Sequence, residues 1–212
     1  MATQAQANSF ASDPRSFMRT AIVRWAGGAP QDQANITVAM LDDAGTGRRR
    51  TSVLGRKVDT EKFVLRQQAP GGAIPPGAPT FPAVWSGYVG GQARTANLPA
   101  AGGPGIMLTP ELTGCAVICR RNADGSAQFS HYNIIEGAGT ANRATMAAIA
   151  NAQYGGGETV FAKEDYRALG LHSEAVRVTV VGIRRATGWE FWGQIREDKP
   201  SGQQLREVRR LA

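Results

Sequence analysis

The stretch from residue 112 to residue 133, LTGCAVICRRNADGSAQFSHYN, decides how this chain is read. Two strand-like runs, 116–121 and 126–133, flank Asn122-Ala123-Asp124-Gly125, a turn in which Gly125 is free to take positive φ. A loop running from Ala123 to Gly125 with a glycine bulge pairs Asn122 with Ser126. Counting back along both arms, Val117 faces His131 and Cys115 faces Asn133. Side-chain parity then gathers Cys115, Val117, Cys119, Phe129, His131 and Asn133 on one face. Cys115 and His131 become diagonal neighbours, their Cβ atoms roughly 5.5–7 Å apart. A change of loop length by a single residue sends them to opposite faces.

The whole chain holds two cysteines and two histidines, and this hairpin carries Cys115, Cys119 and His131. Only a thiolate is a strong nucleophile, and a neighbouring imidazole both supports it and relays its proton. Gly114 removes a side chain just before Cys115, easing the approach of a carbonyl, and the Cys115 N–H is the expected oxyanion donor. The competing reading is a small hydrophobe packed in a core beside a satisfied histidine, and spacing alone does not separate the two. Cys119, with no glycine before it, reads as packing. Four residues apart on one strand, the cysteine Cα atoms stand ~13 Å apart, beyond disulfide reach. C-x3-C with distant histidines does not match zinc spacings. The expectation is therefore free thiols, no metal and no cofactor.

Working outward, residues 13–28 open with Asp13 as an N-cap and Pro14 at the first helical position. Phe17, Ala21 and Trp25 recur every four residues before Gly27-Gly28, which reads as one amphipathic helix. ANITVAML (34–41), RTSVLGR (50–56) and EKFVLRQ (61–67) read as antiparallel strands. From 69 to 105 proline and glycine are dense enough to predict a long ordered loop, anchored by Phe81, Trp85 and Tyr88 and leading to the Cys115 site. Residues 140–154 read as a helix with Thr140 as N-cap, and 162–169 as a short helix closed by Gly170. Residues 174–197 form a second hairpin with Thr187-Gly188 in the turn, and the tail after 198 reads as a short basic helix. The fold class is α+β: an antiparallel β-sandwich or half-barrel core flanked by helices, with a disordered tail over 1–12 and a single catalytic domain over 13–212.

At 212 residues with 42% hydrophobic content, the chain can fill one core. No run approaches the ~20 apolar residues of a membrane span. The opening MATQAQANSFASDPRS lacks the apolar centre of a secretory signal. A net charge of +7 suits an acidic partner, nucleic acid included. The basic pairs are scattered, however, and no nucleic-acid motif surrounds them, so they read as a solvated surface.

Over residues 106–135 the chain resembles the Cys-His glutamine deamidases, which include the catalytic domain of cytotoxic necrotizing factor, Burkholderia lethal factor and the chemotaxis deamidase CheD. The likeness is carried by Thr109 six positions before Cys115, by Gly114-Cys115, and by His131 on the following strand. The toxins read L-S-G-C where this chain has Leu112-Thr113-Gly114-Cys115, so Thr113 keeps the hydroxyl and adds a methyl that narrows the space beside the thiol. The resemblance implies a protein-glutamine deamidase, a hydrolase in which Cys115 attacks a side-chain carboxamide, ammonia leaves, and water activated by His131 releases glutamate. Thr109 would orient the imidazole, Gly114 and Thr113 support the motif, and Tyr132 and Asn133 are candidate substrate contacts or supports. It also implies a glutamine-bearing host protein as partner, and a bacterial toxin or effector made in the bacterial cytoplasm and delivered to the host without a cleaved signal. A thiol hydrolase or protease with the same pair, or a basic binding module with no chemistry, are the alternatives.

Overall fold

The structure, a computed structural model, describes residues 1–26, 32–43, 49–53, 56–67, 74–133, 135–136, 139–140, 142–169, 175–200 and 202–212; of these, the side chains of 49–53, 56–60, 135–136 and 139–140 are left aside. In chain order the elements are α1 (Gln4–Ser12), α2 (Pro14–Thr20), β1 (Ala21–Trp25), β2 (Ala34–Asp42), β3 (Arg49–Val53), β4 (Arg56–Gln67), β5 (Thr80–Trp85), β6 (Ala93–Leu98), β7 (Ile106–Leu108), β8 (Ala116–Arg121), β9 (Ala127–Tyr132), β10 (Ile135–Glu136), β11 (Gly139–Thr140), α3 (Arg143–Tyr154), β12 (Glu158–Phe161), α4 (Lys163–Arg167), β13 (Val176–Arg185), β14 (Gly188–Lys199) and β15 (Gly202–Arg210).

Alternation along β13 shows how these elements layer. Val176, Val178 and Val180 point into one apolar interior, Val181 and Ile183 into another. The strand belongs to a large sheet ordered β1-β4-β2-β5-β7-β13-β14-β15, with β3 added on β4. One face of that sheet packs on α1 and α2 through Phe10, Phe17 and Met18. Its other face packs on a small sheet, β12-β8-β9-β6, through Val117, Cys119, Phe129 and Phe161 against Val178, Trp189 and Phe191. The outer face of the small sheet carries α3 through Met146, Ala150 and Tyr154. The class is α+β, and the two sheets make a sandwich. β15 returns against β3, so the large sheet also curls into a half-barrel.

The curl brings the outer edge of β1 against side chains of β13 and β14 instead of another strand. Val23 N–H donates to Gln194 Oε1 at 2.8 Å, and Val23 O accepts from Thr179 Oγ1 at 2.7 Å. Gln194 Nε2 donates to the carbonyls of Met18 and Ala21 at 2.7 and 2.6 Å. Trp25 N–H donates to Glu111, which also takes Arg196 at 2.7 Å. Buried edge groups need partners, and here polar side chains supply them.

Several elements differ from the sequence reading. Residues 1–12 are not a disordered tail: Thr3 and Gln6 form a capping box at the start of α1, and Phe10 is fully buried against Phe17 and Phe81. The helix from Pro14 stops at Thr20, and Ile22 and Val23, β-branched and buried, continue as β1. The strands are not all antiparallel, since β1 runs parallel to β4 and β5 parallel to β7. The stretch 69–105 is not a single loop but holds β5 and β6. Pro82 fits β5 because at that point only β2 pairs with it; pairing with β7 begins at Val84. The cap of α3 is Asn142 rather than Thr140, its Oδ1 accepting from Thr145 N–H at 3.0 Å. The second hairpin turns on Ala186 and Thr187, with Gly188 already paired to Arg185, and the C-terminal stretch is the strand β15 rather than a helix. The stop expected at Gly170 lies outside the described residues. Among the described residues no helix is long and apolar enough to cross a membrane.

Candidate active site

The turn chemistry of residues 122–125 sets the register. Asn122 N–H donates to Ser126 O at 2.9 Å, Gly125 N–H donates to Asn122 O at 3.1 Å, and Gly125 takes φ 85°. Val117 pairs with His131 and Ala116 with Tyr132, as the loop count requires. Cys115 then falls beside Asn133, and its Sγ donates to Asn133 Oδ1 across 3.5 Å. Cys115, Val117, Cys119 and Phe129 share the inner face of the small sheet.

Thr109 arrives from the other sheet. β7 ends at Leu108, whose carbonyl accepts from Ser86 N–H at 2.8 Å, and the chain then crosses between the sheets. Leu112 ties the crossing to β13 by exchanging bonds of 2.9 and 3.1 Å with Val178. Thr109 is thereby buried, and its Oγ1 lies 2.8 Å from His131 Nδ1. His131 Nε2 is buried and has no hydrogen-bond partner among the described residues. In this conformation Sγ is bonded to Asn133 and not to the imidazole.

A second set of contacts fixes the backbone around the thiol. Tyr166 on α4 donates its hydroxyl to Cys115 O at 2.9 Å and lies within reach of Gly114 N–H. Arg167 donates to Thr113 O at 3.0 Å. Among the described residues no backbone acceptor meets the Cys115 N–H.

The site is closed to solvent. Cys115 is 5% exposed and His131 1%. The cover is Tyr88, 38% exposed, whose ring meets the imidazole edge-on at 5.1 Å between centroids. Its hydroxyl accepts from Asn133 Nδ2 at 2.7 Å. Burial has the expected electrostatic effect on both groups, disfavouring the charged form. The thiol is pushed up to about 11 by desolvation, opposed by the Thr113 backbone N–H, and the imidazole is pushed down to about 3 by desolvation. Both are neutral at neutral pH in this closed arrangement.

Of the residues singled out from sequence, Thr109 meets His131 and Cys115 meets Asn133, and Tyr88 touches both pairs. Tyr132 does not join them. It points to the opposite face, packs with Met146 and Ala150, and its hydroxyl bonds to Gln153, because neighbouring residues on a strand face opposite ways. The Thr113 side chain is exposed, and its backbone is what takes part: the N–H turns toward the Cys115 thiol and the carbonyl is held by Arg167. Tyr88 read only as an anchor, and Tyr166 and Arg167 carry no sequence signal, since they reach the site through the fold. Cys119 is buried and free, its thiol pushed up by desolvation. Among the described residues no three His, Cys, Asp or Glu side chains converge as a metal site.

No family model matches this chain, and no curated protein matches it. Among solved structures it is similar to the C-terminal domain of CNFy from Yersinia pseudotuberculosis, with a TM-score of 0.44 at 9% identity over 98% of this chain and 97% of that one. A likeness of that depth assigns neither family nor activity to this chain.

Proposed function

We propose that the chain is a protein-glutamine deamidase with Cys115 as nucleophile and His131 as proton carrier. The observation that supports this best is the Thr109–His131 bond of 2.8 Å, which occupies Nδ1 and leaves Nε2 bare beside the face that bears Cys115. With Nδ1–H donated to Thr109 Oγ1, Nε2 presents a lone pair, the tautomer a general base needs. Most buried polar atoms are paired, so a buried Nε2 without a partner among the described residues supports a chemical role.

The steps balance as follows. Sγ bonds to the carboxamide carbon of a glutamine while its proton passes to Nε2, and the Cys115 N–H receives the oxyanion. The intermediate collapses as His131 returns the proton to nitrogen, so ammonia leaves and a thioester remains. Water then attacks that carbonyl, giving its proton to Nε2, and collapse releases glutamate and the thiol. Burial in the closed site opposes this proton transfer, so the reaction requires the site to open and readmit polar surroundings before Sγ gives up its proton. Tyr88 must move aside for a substrate to reach the sulfur.

The test is mass spectrometry of bacterial and eukaryotic lysate proteins incubated with the wild type and with Cys115→Ser. Conversion of a glutamine to glutamate by the wild type and loss of that conversion in the variant are expected. Conversion that survives Cys115→Ser, or fragments in place of an intact modified protein, overturns the reading.

A further inference from the structure

The group resting against the thiol is itself a primary carboxamide. Asn133 turns its oxygen toward Sγ at 3.5 Å and its NH2 toward the Tyr88 hydroxyl at 2.7 Å. That is the functional group the proposed reaction consumes. The arrangement is held on the backbone as well: Asn133 N–H donates to Gln92 O at 3.3 Å, joining it to the loop that carries Tyr88. The same ring covers the imidazole, whose Nε2 is buried and without a partner among the described residues.

We infer that Asn133 occupies the seat of the substrate carboxamide in the resting protein, and that Tyr88 is the specificity-determining residue, accepting an N–H from whichever carboxamide is seated. The inference rests on the deamidase reading and names how that site chooses its substrate. An incoming glutamine side chain displaces Asn133, turns its carbonyl toward sulfur and gives its NH2 to Tyr88. A carboxylate brings no N–H to that oxygen and carries a charge into a buried site, so the product is released rather than retained. Tyr88 thus favours the carboxamide that gives it an N–H, while the cost of burying a charge turns away the acid.

The experiment follows alkylation of each cysteine in the full chain by peptide mass spectrometry, with iodoacetamide as the carboxamide probe and iodoacetate as the carboxylate probe. Cys119, buried on the same face, is the internal reference. Asn133→Ala empties the seat and should speed alkylation of Cys115 by iodoacetamide roughly fivefold, the worth of one hydrogen bond, with Cys119 unchanged. Adding Tyr88→Phe to Asn133→Ala should then slow iodoacetamide at Cys115 by a similar factor and leave iodoacetate untouched. Asn133→Ser serves if the alanine variant fails to fold. An unchanged Cys115 rate in the Asn133 variants overturns the inference, as does equal slowing of both probes by Tyr88→Phe. A parallel rise at Cys119 also overturns it, because that reports a loosened fold. None of these readouts needs a protein substrate, so they fail or succeed apart from the Cys115→Ser test.

Discussion

His131 is a neutral imidazole by virtue of where it lies, and that has a measurable cost in acid. Unfolded, it titrates near the ordinary value of 6.5; folded, burial pushes it down to about 3. A depressed pKa contributes stability that is fully present above the unfolded value and is lost as pH falls toward the folded one. The window here is therefore from pH 6.5 down to 3. By pH 4 the loss from this group should be about 3 kcal/mol. Urea unfolding at pH 7 and pH 4 checks it: the wild type should lose that increment and His131→Gln should not. The burial that makes the imidazole a poor cation keeps it neutral over most of the pH range. At this scale the sequence was legible where parity rules. Turn composition determined register, and register brought Cys115, His131 and Asn133 together. Tyr132 was misplaced because proximity in sequence was weighed above the alternation that turns neighbours apart. Tyr88 and Tyr166 were out of reach, since each meets the thiol region only through a loop or helix from elsewhere in the chain.

Among elements, the β8–β9 turn carries the most consequence per residue. Gly125 takes φ 85°, and a Cβ there would also come within 3.6 Å of Ala100 and 3.8 Å of Gly188. Gly125→Ala should destabilise the fold by about 1–2 kcal/mol, because a side chain in left-handed backbone is strained. Gly105→Ala, where a Cβ meets nothing within 4 Å and φ is not left-handed, should be neutral within about 0.5 kcal/mol. Equal effects in chemical denaturation would contradict the role given to this turn. Elsewhere the misread elements share a physical cause. The Phe17-Ala21-Trp25 spacing fits a helix, yet β1 forms because a sheet edge and the Gln194 side chain receive its backbone. Residues 202–210 look helical and basic in isolation, but pairing with β14 makes them a strand. β5 survives its single proline because Pro82 lies where a neighbour is missing. Tertiary pairing overrode local preference in each case.

For the molecule as a whole, closure of the half-barrel depends on side chains more than on a final strand pair. Gln194 is fully buried and satisfies one N–H and two carbonyls from α2 and β1. Gln194→Leu should strand those groups and cost on the order of 3 kcal/mol. In a thermal melt that corresponds to a Tm roughly 10 °C lower for a domain of this size. A shift of less than 2 °C would mean that β1 is held by other contacts. The layering of two sheets and flanking helices was legible from alternation and turn spacing. The curl was not, because it rests on contacts between residues as distant as Val23 and Gln194. One consequence of the layering concerns Thr109. Its hydroxyl comes from the large sheet and the imidazole it holds from the small one, so the pair acts as a latch across the seam between them. Parting the layers slightly unhooks the latch before any ladder bond breaks. The Thr109–His131 bond is thus a reporter of docking, and on warming it should break ahead of the loss of circular dichroism from either sheet.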